Sequence, residues 1–236
     1  MWLMIRYRPT TLFSLRYSAA TSTGAKSLLV PSPYTIKMAL VVSAIRWQGV
    51  EFAQDIFEMI RDLRPVRIRP PEYAVVNRCF LKYQKPKEEK LSKKKRRDNY
   101  ESPIGYQATV GFREYVYLQG LLEIALPIAN EEQGHNLVAL ALRVNYFGKR
   151  GSLMQFVSYD SLEDLPDGFT EVIRASAIGG GILQPLDDMA PDLTFDKVDV
   201  TSDTQMRSSD RPTAPTVLPY RIGRTSVGYA AYVRAT

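Results

Sequence analysis

The sequence predicts an α+β fold of ferredoxin-like type, and three observations predict it. The segments run strand, helix, strands, helix, strand, the order of a βαββαβ unit. The two longest helical patterns, 34–47 and 131–146, sit where helical crossovers between parallel neighbours are needed. A stretch dense in Lys and Arg lies mid-chain between apolar, strand-like runs, so it reads as a hairpin tip and not as a tail.

The elements follow in order. Leu3–Tyr7 reads as the first strand. Thr10–Ser32 is loop-like, with Arg16, Tyr17 and Lys26 as exposed candidates. Ser32-Pro33 supplies an N-cap and a first-position proline. The run Tyr34–Trp47 then places Ile36, Ala39, Leu40, Ser43, Ala44 and Trp47 at helical spacing, and Gly49 stops it. Glu51–Leu63 reads as a second helix with Phe52, Ile56, Met59, Ile60 and Leu63 on one face. Val66–Arg69 and Ala74–Tyr83 are strands, broken by Pro70-Pro71. Ile104–Val110 and Arg113–Ile128 are strands, with Gly105, Gly111 and Gly120 as turns or bulges. Glu131–Tyr146 is the third helix, acids first and Arg143 last, burying Leu137, Leu140, Ala141 and Val144. Leu153–Tyr159 and Val172–Ala177 read as strands. Gln184–Arg211 reads as irregular and acidic, and Val217–Ile222 and Val227–Val233 close the chain as strands.

Composition narrows the chemistry. A 45% hydrophobic, 11% aromatic chain can bury a core and is not disordered. Cys79 is the one cysteine, which excludes an intrachain disulfide and a Cys-rich zinc site and points to a reducing, cytoplasmic setting. It is expected as a small buried hydrophobe. His135 is the one histidine, expected on an exposed helix face, and leaves a two-His metal site without ligands. Asp187-Asp188 and Asp192 lack a recognisable ligand spacing and read as a solvated acidic loop. No cofactor is implied. No segment reaches the ~20 apolar residues needed to span a bilayer. Residues 1–50 hold no Asp or Glu but six cations, Lys37 and Arg46 among them. That pattern suits either a transit peptide or, preferred here, a strand and loop facing a phosphate backbone.

The charge is concentrated. The whole chain carries a net +6, and Lys82–Asp98 alone holds nine Lys/Arg against three Asp/Glu. Such a segment, anchored at both ends, suits a polyanion such as nucleic acid. Gly148-Lys149-Arg150-Gly151-Ser152 is read two ways, as an ordinary helix C-cap with its turn or as an anion-contacting turn. It is not a P-loop. Gly179-Gly180-Gly181 and the closing Arg221–Tyr229, with Arg224, are likewise either turns or a base-stacking wrap.

Three stretches resemble one family. Val30-Pro31-Ser32-Pro33-Tyr34-Thr35, Phe112-Arg113-Glu114-Tyr115-Val116 and Asn145-Tyr146-Phe147-Gly148-Lys149-Arg150-Gly151-Ser152 are similar to motifs of the CRISPR-associated Cas-five family, the RAMP-type subunits of type I Cascade complexes. The resemblance covers most of residues 1–160. It implies an RRM-like RAMP domain over 1–160 with a basic β-hairpin thumb at about 82–104, and a β-rich region packed on it over 161–236. The glycine-rich loop expected of RAMP proteins is met only by Gly223 and Gly228.

The resemblance further implies a subunit that binds the 5′ handle of a guide RNA; some members of that family cleave the precursor RNA, but this sequence shows no clear catalytic set and is read as non-catalytic. Its thumb would engage a Cas-seven-type backbone subunit, with the large Cascade subunit close by and target DNA met through the assembled complex. Lys93, Lys94, Lys95, Arg96 and Arg97 fall in the thumb. The RNA-binding candidates are Arg16, Lys26, Lys37, Arg113, Tyr146, Lys149, Arg150, Arg221 and Arg224. Two other readings remain open. One is a metal-independent endoribonuclease acting through His135 or a Tyr/Lys pair, and the other is an unrelated basic ribonucleoprotein component.

Overall fold

The computed structural model describes residues 1–17, 26–86, 105–172, 180–199 and 202–235. The expected thumb cations Lys93 to Arg97, Gly179 and most of the expected strand 172–177 lie outside the described residues.

The first sheet is built from β1 (Trp2–Pro9), β2 (Arg67–Arg69), β5 (Leu122–Pro127) and β6 (Met154–Leu162), in the spatial order β2-β5-β1-β6. Every pairing in it is antiparallel. This corrects the expectation of parallel neighbours. Helix α1 (Pro33–Gln48) joins β1 to β2, which run the same way on either side of β5. Helix α4 (Glu131–Ala141) joins β5 to β6, which flank β1. The crossovers therefore skip one strand each.

Alternation decides which face the helices cover. Leu3, Ile5 and Tyr7 of β1 and Leu122, Ile124 and Leu126 of β5 pack with Ile36, Leu40, Val41 and Ala44 of α1 and with Leu137, Leu140 and Ala141 of α4. The Tyr7 hydroxyl donates to the Ala141 carbonyl at 2.8 Å, tying β1 to the last turn of α4.

The caps are those the sequence signals. Ser32 Oγ accepts from the Thr35 N–H at 3.3 Å and Pro33 opens α1. Gly49, at φ +96°, ends it, with its N–H on the Ile45 carbonyl. Asn130 caps α4 through the Gln133 N–H. Two helical expectations are corrected. The single helix over 51–63 is two short ones, α2 (Val50–Asp55) and α3 (Phe57–Arg61), because Ile56 takes φ −94°, ψ 0°. The helix expected to reach Tyr146 stops at Ala141, although Val144 stays buried as predicted.

The second sheet, in the order β10-β11-β3-β4, is built from β10 (Tyr220–Thr225), β11 (Tyr229–Arg234), β3 (Tyr73–Pro86) and β4 (Tyr106–Gln119). Strands β3 (Tyr73–Pro86) and β4 (Tyr106–Gln119) form one uninterrupted antiparallel ladder, from Tyr73↔Gln119 to Pro86↔Tyr106. Gly111 is neither turn nor bulge. It pairs with Leu81, and a Cβ there would meet the Tyr83 ring at 3.5 Å. Gly120 does turn the chain, at φ +102°. Strand β11 (Tyr229–Arg234) reaches only Asn77 of β3. From Cys79 outward the two strands pair only with each other among the described residues, over about 25 Å at ~3.3 Å per residue. Cys79 sits on this ribbon, half-buried and not enclosed as expected.

The region expected to be irregular contains order. Strand β8 (Ile182–Asp187) pairs with β9 (Thr213–Leu218), and β9 also carries the short β7 (Glu171–Val172). Strand β10 (Tyr220–Thr225) is the outer neighbour of β11. Asp187 and Asp188 are not solvated loop residues. Asp187 is buried against Arg211, and Asp188 pairs with Lys37 at 2.6 Å.

Candidate nucleic-acid interface

A groove of about 980 Å³ runs between the outer face of α1 and the β3–β4 hairpin. Tyr34, Met38, Val42 and Arg46 stand four residues apart and form the stripe of α1 opposite its buried face, about 18 Å long at 1.5 Å per residue. The hairpin contributes Leu81, Tyr83, Phe112 and Arg113. The remaining wall comes from loop residues 14–16, the turn 143–149 and, from far along the chain, Arg211.

The lining is one-signed. Arg16, Arg46, Arg113, Arg143, Lys149 and Arg211 face the groove, and no Asp, Glu or His of the described residues lines it. Tyr34, Tyr83, Phe112 and Tyr146 are interleaved with them. Three arginine–aromatic stacks sit at its margins. Arg211 lies 4.0 Å from the Tyr34 ring centre, Arg143 3.9 Å from Trp47, and Arg46 5.6 Å from Tyr146. Burial pushes the Tyr34 hydroxyl above its ordinary value, against the pull of nearby Arg211, so it stays a donor.

The turn bearing Lys149 is fixed from below. Gly148 has φ +73°, and a Cβ there would stand 2.9 Å from Leu15 Cδ1. The buried Ser152 hydroxyl accepts the Ser14 N–H at 3.0 Å, and Thr11 Oγ1 donates to the Gly151 carbonyl at 2.6 Å. Two stretches more than a hundred residues apart are thus pinned together. Phe13 pairs with Val116, and the Ser14 hydroxyl donates to the Glu114 carbonyl, which brings β4 to the same place.

Of the residues singled out from the sequence, Arg16, Arg113, Tyr146 and Lys149 converge on this groove. Arg150 is exposed on the same turn but does not line it. Lys26 lines a separate hollow of about 280 Å³ with Arg78, Glu114 and the turn at Ser226–Tyr229. Arg221 and Arg224 are exposed on β10, outside the groove. Lys37 is a correction. Its side chain is fully buried, its ammonium donates to the Arg61 carbonyl at 3.0 Å and pairs with Asp188, and burial lowers its pKa. It holds the C-terminal region to α1 and has no surface to offer RNA. His135 is exposed on α4, as expected, and is not among the groove residues.

Sequence reasoning did not mark Arg46, Arg143 and Arg211 as site residues. For Arg46 the signal was available, as the four-residue stripe from Tyr34. For Arg211 there was none, because its neighbours Asp187 and Tyr34 are distant in sequence.

A one-signed groove with interleaved aromatic rings offers cations that can meet anionic groups and ring faces on which planar groups can stack. The chain is 26% identical over 208 residues to CRISPR-associated protein Cas5 from Archaeoglobus fulgidus, with 84% of this chain and 83% of that protein aligned. This similarity agrees with the family resemblance of its motifs. Similar solved structures include a CRISPR protein from Archaeoglobus fulgidus, with TM-score 0.47 and 11% identity over 100% of this chain and 92% of that one. A chain of a CRISPR RNA-guided surveillance complex gives TM-score 0.46 and 13% identity over 100% and 92%. No family model matches the chain. Among the described residues no helix is long and apolar enough to cross a membrane.

Proposed function

We propose that this chain is a non-catalytic subunit of a type I CRISPR surveillance (Cascade) complex, binding the 5′ handle of the guide RNA in the groove and capping the backbone filament. One observation carries the reading. The three family-like stretches, far apart in sequence, each line the same groove, through Tyr34 and Thr35, Phe112 and Arg113, and Asn145, Tyr146, Gly148 and Lys149. Cations there meet phosphates, and the rings accept splayed bases. The relationship to a Cas5 protein supports the same assignment.

The strand order β2-β5-β1-β6, with α1 and α4 as its crossovers, supports a ferredoxin-like, RRM-like RAMP domain. The two-stranded ribbon beyond Asn77 supports a thumb directed at a Cas-seven-type backbone subunit, with the large subunit and target DNA reached in the assembled complex. His135 does not line the groove, whereas Tyr146 and Lys149 do, so the endoribonuclease reading through a Tyr/Lys pair is decided by the cleavage assay below.

The test is co-expression with the genomic neighbours. The expected result is co-purification with a guide-length RNA whose handle is protected by this chain. Recovery of the complex without RNA, or equal affinity for RNAs with and without the handle, overturns the reading. Metal-independent cleavage of repeat RNA by the purified chain overturns its non-catalytic part.

A further inference from the structure

We propose that Arg211 and Tyr34 form a pre-set station for one nucleotide at the end of the groove nearest the start of α1, with Asp187 as the residue that positions it. The inference rests on the groove holding RNA, and it adds a residue from the C-terminal region to the binding site.

The geometry is that of a guanidinium fixed before a ligand arrives. Strands β8 and β9 pair Asp187 with Thr213, which sets Asp187 beside Arg211. Arg211 Nε donates to Asp187 Oδ2 at 2.9 Å, and a second guanidinium nitrogen donates to the same oxygen. The Asp187 side chain is 7% exposed, so this carboxylate faces Arg211 and not solvent. One face of the guanidinium lies 4.0 Å over the Tyr34 ring centre. Tyr34 is itself held, because its hydroxyl reaches Met206 Sδ at 3.5 Å.

Arginine has five N–H donors, and Asp187 engages donors along one edge only. The Arg211 side chain remains 39% exposed and lines the groove. Its other edge can therefore donate to a phosphate while its uncovered face stacks on the adjoining base. Because rotamer freedom has already been removed by Asp187 and Tyr34, little more is lost on binding. The Arg46–Tyr146 pair at the far end lacks this preparation. It is looser at 5.6 Å, and its hydrogen bond at 3.4 Å joins exposed side chains. The ligand is a phosphodiester of single-stranded RNA with its neighbouring base.

The experiment uses the full chain and a single-stranded repeat RNA carrying a fluorescent adenine analogue, one position at a time. For the wild type, quenching at one position is expected, together with steep salt dependence. Arg211→Ala should lower affinity about tenfold, reduce the salt slope by about one, and abolish that quenching. Arg211→Lys should restore the slope but not the quenching, because an ammonium has no stacking face. Asp187→Asn should weaken quenching with the slope unchanged, and matched thermal melts verify that each variant folds. If Arg211→Ala and Arg211→Lys bind and quench like wild type while Arg113→Ala and Lys149→Ala lower the slope, the station is wrong and the groove reading stands. If none of the four variants changes binding, both fail.

Discussion

The Lys37 ammonium stands 2.6 Å from an Asp188 carboxylate oxygen, with the lysine side chain wholly out of water. The two residues join α1 to the segment after β8, across most of the chain. Such a pair is asymmetric in its removal. Asp188→Ala strands a buried cation and should cost about 3–5 kcal/mol. Lys37→Met removes that desolvated charge, keeps most of the volume, and leaves the Arg61 carbonyl without its donor, for a loss of about 1–2 kcal/mol. Urea unfolding of the two variants gives the comparison. RNA affinity and its salt slope should be unchanged in Lys37→Met, and a reduced slope would return Lys37 to the binding surface.

Alkaline pH should unfold the protein through its buried tyrosines. The Tyr7 and Tyr220 hydroxyls donate to the Ala141 and Pro71 carbonyls, each at 2.8 Å, and burial raises both above the ordinary value of 10.0. The folded state then holds protons that the unfolded chain gives up. Their contribution is complete below pH 10 and is lost progressively as pH rises beyond it. Lys37 acts in the opposite sense. Its folded pKa lies below 10.5, so its term improves as pH climbs from that lowered value towards 10.5. Urea midpoints should fall above pH 10 in the wild type and fall sooner in Lys37→Met. Tyrosinate absorbance should show two of the fourteen tyrosines titrating only with unfolding.

Local signals carried much of this fold, and pair contacts at long range account for what they missed. Ser32, Pro33 and Gly49 mark both ends of α1 because capping is chemistry between neighbours. The same local reading misjudged Gly111, because a glycine in a strand signals a bulge or turn, whereas here it pairs in register with Leu81 under the Tyr83 ring. It also placed Lys37 among surface cations. Helical spacing put Lys37 beside Ile36 and Leu40, but nothing nearby announced a partner at position 188. The groove was half legible for the same reason. Arg113, Tyr146 and Lys149 lie in recognisable motifs, whereas Arg211 gains its position only from Asp187 and Tyr34.

Gly148 is a sensitive point for the turn. At φ +73° an alanine is strained by about 1 kcal/mol, and its Cβ would press on Leu15 Cδ1 at 2.9 Å. Leu15 ends in a rotatable methyl, so the contact can relax by moving that side chain or the turn. Gly148→Ala should therefore cost about 1–2 kcal/mol in stability and shift Lys149 away from the groove. Thermal melts read the first effect. A loss of RNA affinity larger than that of Arg150→Ala reads the second.

Position in the fold separates the basic residues that should matter for RNA from those that should not. Arg113 and Lys149 line the groove, so Arg113→Ala and Lys149→Ala should each lower the salt slope of RNA binding by about one and weaken all RNAs alike. Arg221 and Arg224 project from the outer strand β10, away from it, and their alanine variants should leave the slope unchanged. Neutralising Lys93 to Arg97 together should weaken assembly of the complex more than discrimination between RNAs with and without the handle. Those five cations lie in sequence between β3 and β4, outside the described residues, whereas the residues that can meet splayed bases line the groove. Salt titrations on the purified chain and pull-down of the assembled complex measure the two quantities separately. Lost discrimination with assembly intact would move handle recognition from the groove to this basic segment.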